Sequence, residues 1–198
     1  MTGDTYLLPA SSNQRRLWLI DRLESGTPEY NITWSVELVG PLQVPALESA
    51  LTWLIARHEA LRTTFTAEDG EPVQVVHPPW TVRLPIIDLS NEPDELVQKR
   101  SESLLDEAGQ TPFDLATNPL VRLQLIRQAP ERHLLILVVH HIIADGWSFA
   151  TLFAELTHAY QATAEGKEPN LPPPPIQYAD FAVWQREEVE RGAFAEDL

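Results

Sequence analysis

The residues able to do chemistry concentrate in Val139-His140-His141-Ile142-Ile143-Ala144-Asp145-Gly146-Trp147-Ser148. This stretch leaves an apolar run, Leu134 to Val139, and stops where a helix can begin. Functional groups gather at such strand-to-helix loops because a rigid frame holds a more mobile segment. Three chemistries compete for the histidines. A metal ion needs convergent ligands, yet adjacent residues of an extended segment point to opposite faces. His140 and His141 therefore do not readily reach one ion, and the chain has no cysteine to join them. Acid–base catalysis needs only one histidine to face a cleft, where a neutral imidazole accepts a proton near neutral pH. The plainest alternative is a pair of hydrogen-bonded histidines at a buried strand end, followed by an Asp-Gly turn. Asp145 either lies beside a histidine or pairs with a cation and holds the loop in shape, and spacing does not choose between the two.

A second cluster runs from Arg57 through His58, Glu59, Ala60, Leu61, Arg62, Thr63 and Thr64 to Phe65. Cations suit the C-terminal end of a helix dipole, so a solvated helix end explains much of it. Arg62 falls at the junction with the next strand, where a side chain that turns inward needs a carboxylate. Asp145 is the partner that would make sense of both clusters together.

The elements that must hold these residues follow from periodicity. Leu17, Ile20 and Leu23 mark a first helix, which Ser11 and Ser12 can cap. Ile32 to Leu38 alternate apolar and polar, as in a half-buried strand. Pro45 suits the first position of a second helix, along which Leu47, Leu51, Leu54, Ile55, His58 and Leu61 recur at helical spacing. Arg62–Phe65 and Val73–Val76 flank Asp69-Gly70, a hairpin signal. A third helix is expected over Asp94 to Ala108, with Leu96, Leu104 and Ala108 inward and Gly109 as its C-cap. Val121–Arg127 and His133–Val139 should pair as a second hairpin, and the unbroken run Leu134–Val139 suits a central strand covered on both faces. Ser148 is expected to cap a long helix reaching about Ala164, with Gly166 after it. The mixture places the chain in the α/β class, an α+β arrangement whose mixed sheet is flanked by helices.

Composition bounds the partners. The 198 residues carry a formal charge of −15, and a field of that sign repels nucleic acid and anionic membrane surfaces. Absent cysteines remove disulfides, thiolate metal sites and cysteine nucleophiles, and they fit a reducing cytoplasm. The start, MTGDTYLLPA, has no signal-peptide pattern, and no apolar run is long enough to span a bilayer. Prolines cluster in Leu171–Ile176, inside a stiff connector expected between two helices over residues 166–176. The end, Gly192–Leu198, has no stop signal, which suggests a chain cut there.

Four segments in order resemble the condensation domains of nonribosomal peptide synthetases. The core motif His-His-x-x-x-Asp-Gly is met by His140, His141, Asp145 and Gly146, with Trp147 and Ser148 following. The motif Arg-His-Glu-x-Leu-Arg-Thr-x-Phe is met in full by Arg57 to Phe65. The motif Ser-x-Ala-Gln-x-Arg-Leu-Trp is met by Ser11, Gln14, Arg16, Leu17 and Trp18, with Asn13 in place of Ala. Tyr-x-Asp-Tyr-Ala-x-Trp is met by Tyr178, Asp180, Ala182 and Trp184, with Phe181 for the second Tyr. Pro112-Phe113-Asp114-Leu115 matches a further usual segment.

The resemblance implies a chloramphenicol acetyltransferase-like fold of two lobes with a tunnel between them. Donor and acceptor peptidyl carrier domains would dock at opposite mouths and insert 4′-phosphopantetheine arms. The acceptor amine would attack the donor thioester and form an amide. His141 would be the active-site residue, as a base or as a positioning group; His140 would hold the loop, Asp145 would pair with Arg62, and Gly146 would allow close approach to the reacting centre. Gln14, Arg16, Trp147 and Ser148 would support these motifs. The intact His pair sets the chain apart from heterocyclisation domains, and its flanks resemble the type joining an L-donor to an L-acceptor.

Later family motifs are missing, so residues 1–198 are expected to be an N-terminal lobe that lacks its C-terminal lobe. Its partners would be that lobe, the carriers and an adjacent adenylation domain, and its exposed face would invite self-association. Alone, it is expected to condense poorly or not at all. Two alternatives are a truncated structural module of a synthetase and, less well matched, a stand-alone acyltransferase using coenzyme A.

Overall fold

The structure is a computed structural model that describes residues 5–24, 26–117 and 119–191. Met1–Asp4 and Gly192–Leu198, on which the reading of the two ends rests in part, lie outside the described residues. In chain order the elements are β1 (Tyr6–Pro9), α1 (Ser12–Leu23), β2 (Asn31–Val39), α2 (Val44–Arg57), a one-turn 3-10 helix (Glu59–Arg62), β3 (Thr63–Glu68), β4 (Glu71–Val76), β5 (Ile86–Asp88), α3 (Asp94–Gln110), β6 (Val121–Ala129), β7 (Arg132–His140), α4 (Gly146–Ala164) and α5 (Tyr178–Glu190). One of the two sheets mixes parallel and antiparallel pairs, and helices flank the sheets, as the patterning implies.

The smaller sheet has the order β1-β4-β3 and is antiparallel throughout. Its hairpin closes through Asp69 and Gly70, both with positive φ (52° and 86°), the backbone that a two-residue turn between right-twisted strands requires. The larger sheet has the order β2-β7-β6-β5, in which only the β5–β6 pair is parallel. Thus β7 is central. Its Leu135 and Leu137 face an apolar layer from α2 and α4, including Leu51, Leu54, Ile55 and Leu152. Its opposite face is covered by α3 through Val97, Leu104 and Ala108. Each fully buried aliphatic side chain of this layer contributes about 1.5–3 kcal/mol relative to exposure.

Several local expectations are corrected. Val44, not Pro45, opens α2, and the helix stops at Arg57, so His58 caps it and Leu61 belongs to the 3-10 turn. Leu96 is half exposed and the neighbouring Val97 is buried instead. Gly109 does not cap α3 but lies inside it. A Cβ there would sit 2.8 Å from Oγ1 of Thr33 on β2, so glycine lets the helix press onto the sheet. Asn31 of β2 fixes that contact by donating through Nδ2 to the carbonyls of Gly109 (2.7 Å) and Thr111 (2.8 Å).

Candidate active site

β7 delivers the two histidines with opposite environments. The His140 amide donates to the carbonyl of Leu120 (3.1 Å) and the His141 amide to that of Tyr30 (2.8 Å), so backbone on both sides grips the strand end. The chain then turns: the Ile143 amide bonds the His140 carbonyl (3.0 Å) and the Ile142 amide donates to His140 Nδ1 (3.1 Å). The His140 ring is buried, edge-on to Phe113 at 6.4 Å between centroids. Burial, with some repulsion from His141, holds its pKa down to about 4. It is therefore neutral at pH 7, with Nδ1 as an acceptor.

His141 turns the other way, is exposed, and faces a cleft of about 430 Å³. Gln14, Arg16, Tyr30, Asp145 and Tyr178 share its walls. Ile142, Ile143 and Ala144 beyond it are buried, which anchors the loop from below. Gln14 clamps the loop from α1. It is buried and donates through Nε2 to the Ile142 carbonyl (3.3 Å) and to Oε1 of Gln74 (3.1 Å). Gln74 in turn donates to the Pro9 carbonyl (2.8 Å). Ser11 caps α1 and shares a capping box with Gln14, and its Oγ lies 3.0 Å from the Tyr178 hydroxyl. One polar chain thus joins α5, α1, β4 and the histidine loop.

Asp145 takes the role expected of Ser148: it caps α4. Its Oδ1 accepts from the Ser148 amide (2.9 Å) and hydroxyl (2.6 Å), and Ser148, at the third helical position, accepts from the Asp145 amide (3.3 Å). These bonds, the Ser148 hydroxyl first, keep the carboxyl below its ordinary pKa. The expected ion pair with Arg62 is not formed. Arg62 is buried and bonds the His77 carbonyl, with Glu59 Oε1 at 3.3 Å. Its 3-10 turn presents Glu59 one turn away, which satisfies locally what Asp145 was expected to satisfy.

Gly146 opens α4 with open space around it: a Cβ would meet nothing within 4 Å, and no positive φ requires glycine. No described protein atom presses on it, so the close approach expected of it involves none of the described residues. Trp147 is 89% exposed, and Arg16 is exposed at the cleft.

The Arg57 cluster does other work. Glu155 of α4 accepts from Arg57 Nε (3.0 Å) and lies 2.5 Å from His58 Nε2, while Arg57 also donates to the Pro172 carbonyl (2.5 Å). Gln177, which begins α5, bonds the Arg57 carbonyl (3.0 Å) and the Glu59 amide (3.2 Å). The proline-rich segment between α4 and α5 is thereby tied to the end of α2. Sequence reasoning missed Gln74, Glu155 and Gln177. Gln74 had a signal, since alternation places it on the inner face with Val76; the other two had none.

Comparison with known proteins agrees with this architecture. The family model for the condensation domain matches residues 5–198. The chain is 41% identical over 192 residues to chondramide synthase cmdD of Chondromyces crocatus, covering 97% of this chain and 5% of that one. It is 41% identical over 191 residues to phosphinothricin tripeptide synthetase PhsC of Streptomyces viridochromogenes, covering 96% and 18%. Among solved structures, the X-domain from teicoplanin biosynthesis superposes with TM-score 0.83 at 32% identity, over 96% of this chain and 40% of that one. The starter condensation domain of rhizomide synthetase superposes with TM-score 0.87 at 23% identity, over 97% and 46%, a likeness of fold. The chain thus spans a small part of these synthetases and less than half of each solved chain. It belongs to the condensation domain family of nonribosomal peptide synthetases.

Proposed function

We propose that this chain is the His141-bearing lobe of a domain that forms amide bonds between carrier-bound substrates, of the type that joins an L-donor to an L-acceptor. The carrying observation is the contrast at the end of β7: His140 is buried and neutral, and His141 is exposed to a cleft on a loop clamped from three sides. In the reaction the acceptor amine attacks the donor thioester carbonyl. A C–N bond forms, the C–S bond breaks, and the amine loses a proton as the donor arm leaves as a thiol. His141 touches the attacking amine; His140 and Asp145 shape the loop that carries it. The 4′-phosphopantetheine arms arrive on donor and acceptor carrier domains, and an adenylation domain loads the acceptor. The setting is the cytoplasm.

A second lobe supplies the facing wall in this reading, and holding two arms in line accounts for much of the rate. The test is a single-turnover reaction between aminoacyl-loaded donor and acceptor carriers, read by intact mass. The chain with its second lobe should form dipeptidyl carrier from an L-donor and little from a D-donor, and the chain by itself should form little. Full turnover by the chain by itself, or none with the second lobe, would overturn the reading.

A further inference from the structure

The cleft beside His141 carries one unspent cation. Helix α1 holds Arg15, Arg16 and Arg22 against a single acid, Asp21, in a chain of net charge −15. Two of these arginines are engaged: Arg15 bonds Glu71 at 2.7 Å, and Arg22 stacks over the Trp18 ring at 5.3 Å. Arg16 lines the cleft and is exposed, and its side chain has no hydrogen bond or ion pair among the described residues. Among the described residues it is also the one Lys or Arg side chain along the cleft wall. It stands two residues from Gln14, which grips the catalytic loop, so its backbone is fixed relative to His141.

An unpartnered guanidinium at a cleft in an acidic protein attracts an anion, and its planar donor fork matches phosphate. On the reading above, the anion brought to this cleft is the phosphodiester of the carrier arm. The geometry points to Arg16 as the positioning residue that receives the phosphate of a 4′-phosphopantetheine arm and so sets how far its thioester end reaches toward His141. The inference rests on the proposed function but is tested apart from it.

The probes are free 4′-phosphopantetheine and free pantetheine, which differ by the phosphate alone. They are titrated into the full chain and into Arg16→Ala and Arg16→Lys, with binding followed by nuclear magnetic resonance of the histidine signals. A charge-assisted hydrogen bond predicts roughly tenfold tighter binding of the phosphorylated arm to the native chain. That preference should vanish in Arg16→Ala, persist in part in Arg16→Lys, and shrink with added salt. Arg16 is exposed, so an unchanged melting temperature for both variants should show that the fold is intact. Equal binding of the two probes by the native chain, or a preference that survives in Arg16→Ala, would overturn the assignment. A phosphate preference lost with Arg16, in a chain that makes no amide product with its second lobe, would keep the assignment and sink the condensation reading. Product formation without a phosphate preference would do the reverse.

Discussion

The amide of Ile142 donates to Nδ1 of His140 at 3.1 Å, so the first histidine of the pair serves the backbone just beyond the second. That bond needs an unprotonated Nδ1, and burial keeps it so by holding the pKa to about 4. In the unfolded chain the imidazole returns to about 6.5. Between these values the unfolded state binds a proton that the native state refuses. This contribution to stability is therefore full above about pH 6.5 and is lost as pH falls toward 4. The loss attributable to His140 should be on the order of 3 kcal/mol. Denaturant melts of the native chain and His140→Asn, compared from pH 7 to 4.5, should show the native chain losing more stability than the variant. Parallel pH profiles would contradict the assignment.

Asp145 and Arg62 should prove independent. Asp145→Ala removes the α4 cap and should cost about 1 kcal/mol. Arg62→Ala strips partners from the His77 carbonyl and Glu59 and should cost about 1–3 kcal/mol. A double-mutant cycle should give a coupling within about 0.5 kcal/mol of zero, as for residues without shared partners. A coupling well above that range would restore the ion pair that the motif leads one to expect.

Gln14 should matter to rate more than to substrate affinity. Gln14→Ala removes the donor to the Ile142 carbonyl and to Gln74 Oε1, both inside the protein, while Gln74 keeps its bond to the Pro9 carbonyl. Stability should fall by about 1–3 kcal/mol. In the completed domain kcat should fall at least tenfold while KM for the carriers changes little, because the loop bearing His141 loses its register and the docking surfaces do not. A purely KM effect would show that Gln14 contacts the arm.

Glu155 should govern the proline-rich segment. Glu155→Ala leaves Arg57 and His58 without their carboxylate, which weakens the hold on Pro172. Limited proteolysis should then cut within Leu171–Ile176 several-fold faster than in the native chain. An unchanged cutting rate would mean that Arg57 and Gln177 secure the segment without Glu155.

Much of this was legible in the residues, for identifiable reasons. Strict alternation over Ile32–Leu38 and the unbroken run Leu134–Val139 sit on period-2 strands, one at an edge and one at the centre of the larger sheet. Asp69-Gly70 can do little but turn. What escaped was set by neighbours. β1 and β5 are short and exist because β4 and β6 offer edges to them. Gly109 reads as a helix stop until Thr33 is seen pressing on it. Ser148 and Asp145 are both good caps, and spacing could not say which one precedes the first helical residue. The polar chain from Tyr178 through Ser11 and Gln14 to Gln74 joins residues far apart in the chain, so no local pattern records it.

The most direct test of the central claim is single-turnover amide formation by the chain with its second lobe, comparing native His141 with His141→Ala. His141 is exposed, so the substitution should leave the melting temperature in place. Loss of roughly 10²–10⁴-fold in rate, with both carriers still bound, is the result expected of a group acting on the amine. A variant that condenses at the native rate would show that the cleft histidine does not carry the reaction.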